Sequence, residues 1–164
     1  MSQVSTAQRA EAPALGAMSL GAVIGGTVAG LIDIFAAALI NQAPPGLILR
    51  FIASGLLGKA ALHGGAGTIV LGLVLQIAMA LLIAAIYGTA SLRLPVLIRR
   101  PVSFGALFGV GVFVVMTFVV VPLSAAPHPK HLPTLSDIAP NLAAMVLFGL
   151  IVANAQAWAA RRRA

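Results

Sequence analysis

The chain has 164 residues, 60% of them hydrophobic and 8% charged, with a net charge of +7 and no cysteine. A soluble domain carries about 25% charged residues, so this chain cannot cover a water-facing surface; its expected solvent is the bilayer, and its length fits one compact domain. The lack of cysteine excludes disulfides, thiolate metal sites and cysteine nucleophiles. Basic residues set between hydrophobic stretches, with only 5% aromatics, favour a lipid bilayer over nucleic acid as partner.

Met1 to Pro13 reads as a short flexible tail, polar and small apart from Arg9 and Glu11. A cleaved signal is the rival reading, with Ala36, Ala37 and Ala38 near a cut, but the apolar stretch is longer than an h-region of about 7–15 residues. That stretch, Ala17 to Ile40, can cross a bilayer, for which about 20 apolar residues suffice. Every fourth residue is Ala17, Gly21, Gly25, Ala29, Asp33 and Ala37, a ridge of small side chains with one carboxylate; Gly26 and Gly30 form a second pair beside it. Lipid tails are as apolar as leucine, so small residues that let backbones approach are what bring helices together in a membrane. The ridge therefore predicts a helix buried among others, with Asp33 facing inward.

Asn41 to Pro45 ends the first span, since proline and the residue before it break helices. Gly46 to Gly58 predicts a short amphipathic or re-entrant helix, with Leu47, Ile48, Phe51, Ile52 and Gly55 near one face and Arg50 and Ser54 off it. Gly64, Gly65 and Gly67 make a loose turn before the second span, residues 68–90, whose ridge is Thr68, Gly72, Gln76, Ala80, Ala84 and Gly88. Ser91 to Val102 is a connector with Arg93, Arg99 and Arg100. The third span, residues 103–121, offers Gly105 and Gly109 for close approach and ends at Pro122. A proline-rich loop with His128, Lys130, His131 and Asp137 leads to the fourth span, residues 138–158. Trp158 suits the headgroup region, and Arg161, Arg162 and Arg163 are set to grip anionic lipid.

The expected architecture is thus an all-α integral membrane four-helix bundle with one short helix between spans 1 and 2. With four spans, both termini and the middle connector share one side. That side carries seven of the ten basic residues, and Arg50, Lys59 and Lys130 lie opposite. The richer side belongs in the cytoplasm. Were Gly46–Gly58 a crossing, the count would fail.

A carboxylate inside a bilayer costs roughly 2.5–3.5 kcal/mol on insertion scales and usually faces the bundle interior with a partner. Asp33 lies about 10 Å, and Gln76 about 12 Å, from the same end of their helices at 1.5 Å per residue. Thr117 and Asn141 lie near the same end. A polar cluster of Asp33, Gln76, Thr117 and Asn141 is expected, with Lys59 or Arg50 as countercharge. Such a group is either a proton or cation site or a hydrogen-bonded clasp between helices, and a single acid with no second acid or histidine along its span favours the clasp.

Other motifs carry no chemistry. His128 and His131 fall short of the three or four ligands a metal site needs, and His63 has no evident partner. GLLGK, residues 55–59, lacks the first glycine of a phosphate loop and has Ala60 where Ser or Thr should hold magnesium. Gly109 to Gly111 lacks the third glycine of a dinucleotide site. Ser124 has no positioned base and acid. No cofactor is expected.

The strings GTVAGLIDIFAAALI, RFIASGLLGKAALHGG and FGVGVFVVMTFVVVPLSA together resemble a group of small bacterial inner-membrane proteins of unknown function, distantly similar to the YagU-like proteins. The likeness covers roughly residues 16–126. It rests on Asp33, Phe51–Gly58 and Val121–Ser124, and implies a compartment and an architecture but no reaction. Members of the group tend to carry histidine in place of Gln76 and another near Asn141. That departure removes groups suited to proton or metal chemistry and favours a structural role. The expected function is therefore non-enzymatic: a scaffold or accessory subunit packing within itself or onto a larger membrane complex through Gly21, Gly25, Gly26, Gly30, Gly72, Gly88, Gly105 and Gly109. The alternative is a small transporter or channel-like protein, alone or self-associated, that uses Asp33.

Overall fold

The computed structural model describes residues 2–127 and 134–162, with the side chains of residue 16 and of residues 18 onward. These residues form α1 (Ser2–Ile40), α2 (Pro45–Leu57), α3 (Ala66–Arg93), α4 (Val96–Arg99), α5 (Pro101–Val115), α6 (Val121–Leu123) and α7 (Leu135–Arg161), and no strand occurs among them. A 3-10 segment, Gly58–His63, follows α2, and a π turn, Met116–Val120, joins α5 to α6. Five stretches are long and apolar enough to cross a membrane: Met18–Ile40, Pro45–His63, Ala66–Arg93, Pro101–Leu123 and Leu135–Arg161. α1 begins at Ser2, so the segment expected as a flexible tail is helical; its Ala, Gln, Arg and Glu residues are good helix formers.

Each helix end has a local cause. α1 stops because Gln42 turns left-handed at φ 49°, and the Gln42 and Ala43 amides donate back to the Leu39 and Ala38 carbonyls, the pairing of a Schellman cap. Pro44 and Pro45 then start α2 afresh. A left-handed residue with a side chain is strained by roughly 1–2 kcal/mol. Gln42→Gly should raise stability in detergent unfolding by about 0.5–1 kcal/mol, once glycine's greater unfolded-state freedom is subtracted. Pro122 has no N–H for the Phe118 carbonyl, and the chain widens there into the π turn. α7 opens with a capping box, in which the Thr134 amide and hydroxyl both donate to the Asp137 carboxylate.

Glycines fix how the long helices pair. A Cβ on Gly26 would meet the Ala80 carbonyl and Leu81, one on Gly30 the Ala80 methyl, and one on Gly88 the Met18 side chain, so α1 and α3 run antiparallel. Gly21 lies against Gln156, and Gly25 against Val152 and Ala155, so α1 and α7 are antiparallel as well. Gly105 meets Leu150 and Ala153, and Gly109 meets Met145 and Val146, which makes α5 and α7 antiparallel. The direction alternates through α1, α3, α5 and α7. One end of the bundle therefore carries the start of α1 and the end of α7, the terminal end; α2 lies at the other.

The expected meeting of the first two ridges is divided. Gly26 and Gly30 face α3, whereas Gly21 and Gly25 face α7, and Gly72 faces α2, where a side chain would strike the Leu49 carbonyl. The two glycine pairs of α1 are offset by five residues, about 140° around the helix, so they address two different neighbours.

α2 packs inward through Leu49, Ala53 and Ser54. Ala53 and Ser54 are fully buried while Leu47 and Phe51 are exposed. The Ser54 hydroxyl donates to the Phe51 carbonyl at 2.6 Å, which satisfies it within its own helix. Its small size then lets α2 approach the bundle. The amide of Ala125, just beyond α6, donates to the Gly55 carbonyl at 2.9 Å, tying α2 across the bundle's end.

Packing is densest toward the terminal end, where Ala84, Val152 and Ala153 are fully buried beside Tyr87. Tyr87 donates to the Leu97 carbonyl at 3.1 Å and meets Phe108 edge-on, with ring centroids 4.9 Å apart. Outward faces carry large aliphatic side chains, such as Leu107 and Leu82, as a lipid surround requires.

Candidate functional site

Asp33 lies on α1 between the glycine-packed faces, and Gln76 lies opposite it on α3. Gly30 lets α3 approach until the Ala80 methyl would touch any added Cβ. At that separation the Gln76 amide donates to the Asp33 carboxylate at 2.8 Å and to the Gly30 carbonyl at 3.3 Å. Both side chains are half-buried.

Beside the pair opens a cavity of about 660 Å³, walled by Asp33, Ile34 and Asn41 near the end of α1, by Ile48 and Phe51 of α2, by Gln76 of α3, by Met116 of the π turn, and by Asn141 and Met145 of α7. A second, smaller cavity of about 310 Å³ continues toward Leu75, Met79, Val120 and Ser124, and the two share Phe51, Ile52, Gln76 and Met116 as walls. Both occupy the half of the bundle that holds α2.

Of the four residues expected to cluster, Asp33 and Gln76 bond to each other and Asn141 shares their cavity. Asn141 itself donates to the Asp137 carbonyl of its own helix at 2.7 Å. Thr117 is not on the cavity wall. Met116 and Thr117 both lie in the π turn, and of the two Met116 lines the cavity.

The expected countercharge is absent. Among the described residues no cation pairs with Asp33: Lys59 is exposed, and Arg50 lines neither cavity. The Arg50 Nε is buried without a hydrogen-bond partner among the described residues. No three His, Asp or Glu side chains come together among the described residues. His128, Lys130 and His131 lie outside them, as does Arg163. Arg161 and Arg162 are exposed, and Arg162 stacks over the Trp158 ring at 4.2 Å.

Two polar residues escaped the sequence reading. Asn41 lines the cavity and donates to the Ala37 carbonyl at 2.8 Å. Gln156 is 2% exposed at the terminal end, where its amide donates to the Met18 and Ala84 carbonyls at 3.2 and 3.5 Å, joining α1, α3 and α7. It stands with Asn154 in the alanine-rich NAQAWAA, and its side chain lies against two glycines, Gly21 and Gly88. Gln156→Met keeps the length and removes the donor, and should lower resistance to unfolding in mixed micelles by about 1 kcal/mol.

Comparison with protein-family models, with curated proteins and with solved structures finds no match to this chain.

Proposed function

We propose that the protein is a non-enzymatic integral membrane protein of four crossings, a small transporter or channel-like protein whose working group is Asp33. One observation carries this reading: the carboxylate, with no basic partner among the described residues, borders a cavity of about 660 Å³ to which α1, α2, α3, the π turn and α7 all contribute. A clasp serving only to join helices needs no such space.

Four crossings are supported by direction. α1 and α3 are antiparallel, and a complete crossing by α2 between them would make them parallel. α2 alone spans about 20 Å at 1.5 Å per residue; with the 3-10 segment, Pro45–His63 is long enough to cross, and it is the antiparallel pairing of α1 and α3 that argues against a crossing. We read it as seated within one leaflet. The distribution of basic residues puts both termini in the cytoplasm, and the resemblance noted above favours a bacterial inner membrane. The cavity then faces outward.

A scaffold or accessory subunit is the second reading, favoured by the fully buried layer of Ala84, Val152 and Ala153 toward the terminal end. Against docking on a larger complex through glycine, all eight glycines expected to pack meet neighbours within this chain. Purified protein in proteoliposomes should pass protons or monovalent cations above the protein-free rate. No flux, together with stable co-purification of another membrane protein, would favour the scaffold instead.

A further inference from the structure

We propose that the Asp33 cavity takes an organic ammonium ion with an apolar body, an inference that rests on the cavity being the working site. The polar atoms left open on its wall define what it can bind. The amide nitrogens of Gln76, Asn41 and Asn141 all donate to acceptors within the chain: the Asp33 carboxylate and Gly30 carbonyl, the Ala37 carbonyl, and the Asp137 carbonyl. Those neighbours are acceptors, so each amide must point its nitrogen at them and its oxygen away. The Gln76 Oε1, the Asn41 and Asn141 Oδ1 atoms and the second Asp33 oxygen accept no hydrogen bond from the described residues. The cavity thus offers one acid and several open acceptors, against only two uncommitted amide hydrogens, the second N–H of Asn41 and of Asn141.

Such a wall complements a group that only donates and carries positive charge. An ammonium has up to three N–H donors and no acceptor. Carboxylates, phosphates and sulfates are disfavoured by the Asp33 charge and by acceptors that outnumber the open donors, and a neutral alcohol leaves Asp33 uncompensated in low dielectric. The rest of the wall selects against a hard divalent metal ion. It is Ile34, Ile48, Phe51, Met116 and Met145, whereas hard cations take six or more oxygens at fixed distance. These side chains suit an apolar body, and Phe51 adds an aromatic face for the cation. At about 660 Å³ the space falls within the roughly 300–1,000 Å³ of small-molecule sites.

The test uses three probes of one shape: 2-phenylethylammonium, 2-phenylethanol and phenylacetate. Binding to the full chain in zwitterionic nanodiscs is measured by titration calorimetry, with empty nanodiscs subtracted. The ammonium should bind at least about tenfold tighter than either isostere, as one charge-assisted contact provides. Asp33→Asn should reduce that preference to within about threefold while leaving phenylethanol binding unchanged. Equal affinity for the three probes, or a preference that survives Asp33→Asn, would overturn the proposal. The isostere comparison uses the unaltered chain, so it decides even if the variant fails to fold. Ammonium-selective binding without cation flux would sink the transport reading alone, and flux without selective binding would sink this inference alone.

Discussion

Gly109→Leu should prevent α5 and α7 from closing, with a loss of at least about 3 kcal/mol, at or beyond the upper end of ordinary overpacking costs. Even a single Cβ at Gly109 would run into the Met145 carbonyl and lie 2.7 Å from the Val146 Cα. Those are backbone atoms of a helix, and they cannot rotate aside as a side chain would. Nor can α7 retreat freely, because its other contacts hold it against α1 through Gly21 and Gly25. Gly111→Leu is the matched control. Nothing lies within 4 Å of a Cβ there, so the added side chain meets lipid and should change stability by no more than about 0.5 kcal/mol. Unfolding of both variants in mixed micelles distinguishes a specific helix contact from a general intolerance of bulk on α5; similar losses in the two would remove the packing argument.

Asp33→Asn should abolish cation flux while leaving the fold intact. The substitution keeps the shape and an acceptor oxygen, so the Gln76 amide retains its partner, and the Gly30 carbonyl still accepts its second bond. Stability should therefore shift by less than about 1 kcal/mol, the scale of a hydrogen bond between membrane helices. Flux should fall to the protein-free rate, because a neutral amide can neither carry a proton nor compensate a cation. Asp33→Leu gives the contrast: it leaves the Gln76 amide with only the longer 3.3 Å bond and should lower stability as well as flux. If Asp33→Asn keeps full flux, the carboxylate is a clasp and the scaffold reading takes precedence.

Much of the fold was legible because membranes simplify the code. A long apolar run must be helical when no water is present to satisfy its backbone, and small residues at fourfold spacing mark the faces that meet. Hence the pairing of Asp33 with Gln76 followed from depth alone. What did not follow was which neighbour each ridge meets. Gly21 and Gly26 differ by five residues in sequence, yet one faces α7 and the other α3, and nothing local decides between partners of equal smallness. Which face of α2 turns inward was left open for a related reason. In water, apolar residues turn inward and serine outward, but where the surroundings are as apolar as the core, size decides, so Ala53 and Ser54 go in. Thr117 falls within a π turn that only the proline at 122 foreshadows. Gln156 was overlooked because it stands outside the ridges whose glycines it touches.

Every functional statement about the cavity depends on α2 entering and leaving on one side of the membrane. The chain has no cysteine, so single cysteines are clean reporters. Pro44→Cys, before α2, and Gly65→Cys, where nothing lies within 4 Å of the Cβ, bracket the segment. In sealed vesicles of uniform orientation, a membrane-impermeant maleimide should label both positions from the same side. Labelling from opposite sides would mean that α2 crosses, and the α1–α3 pairing that builds the Asp33 site would be wrong.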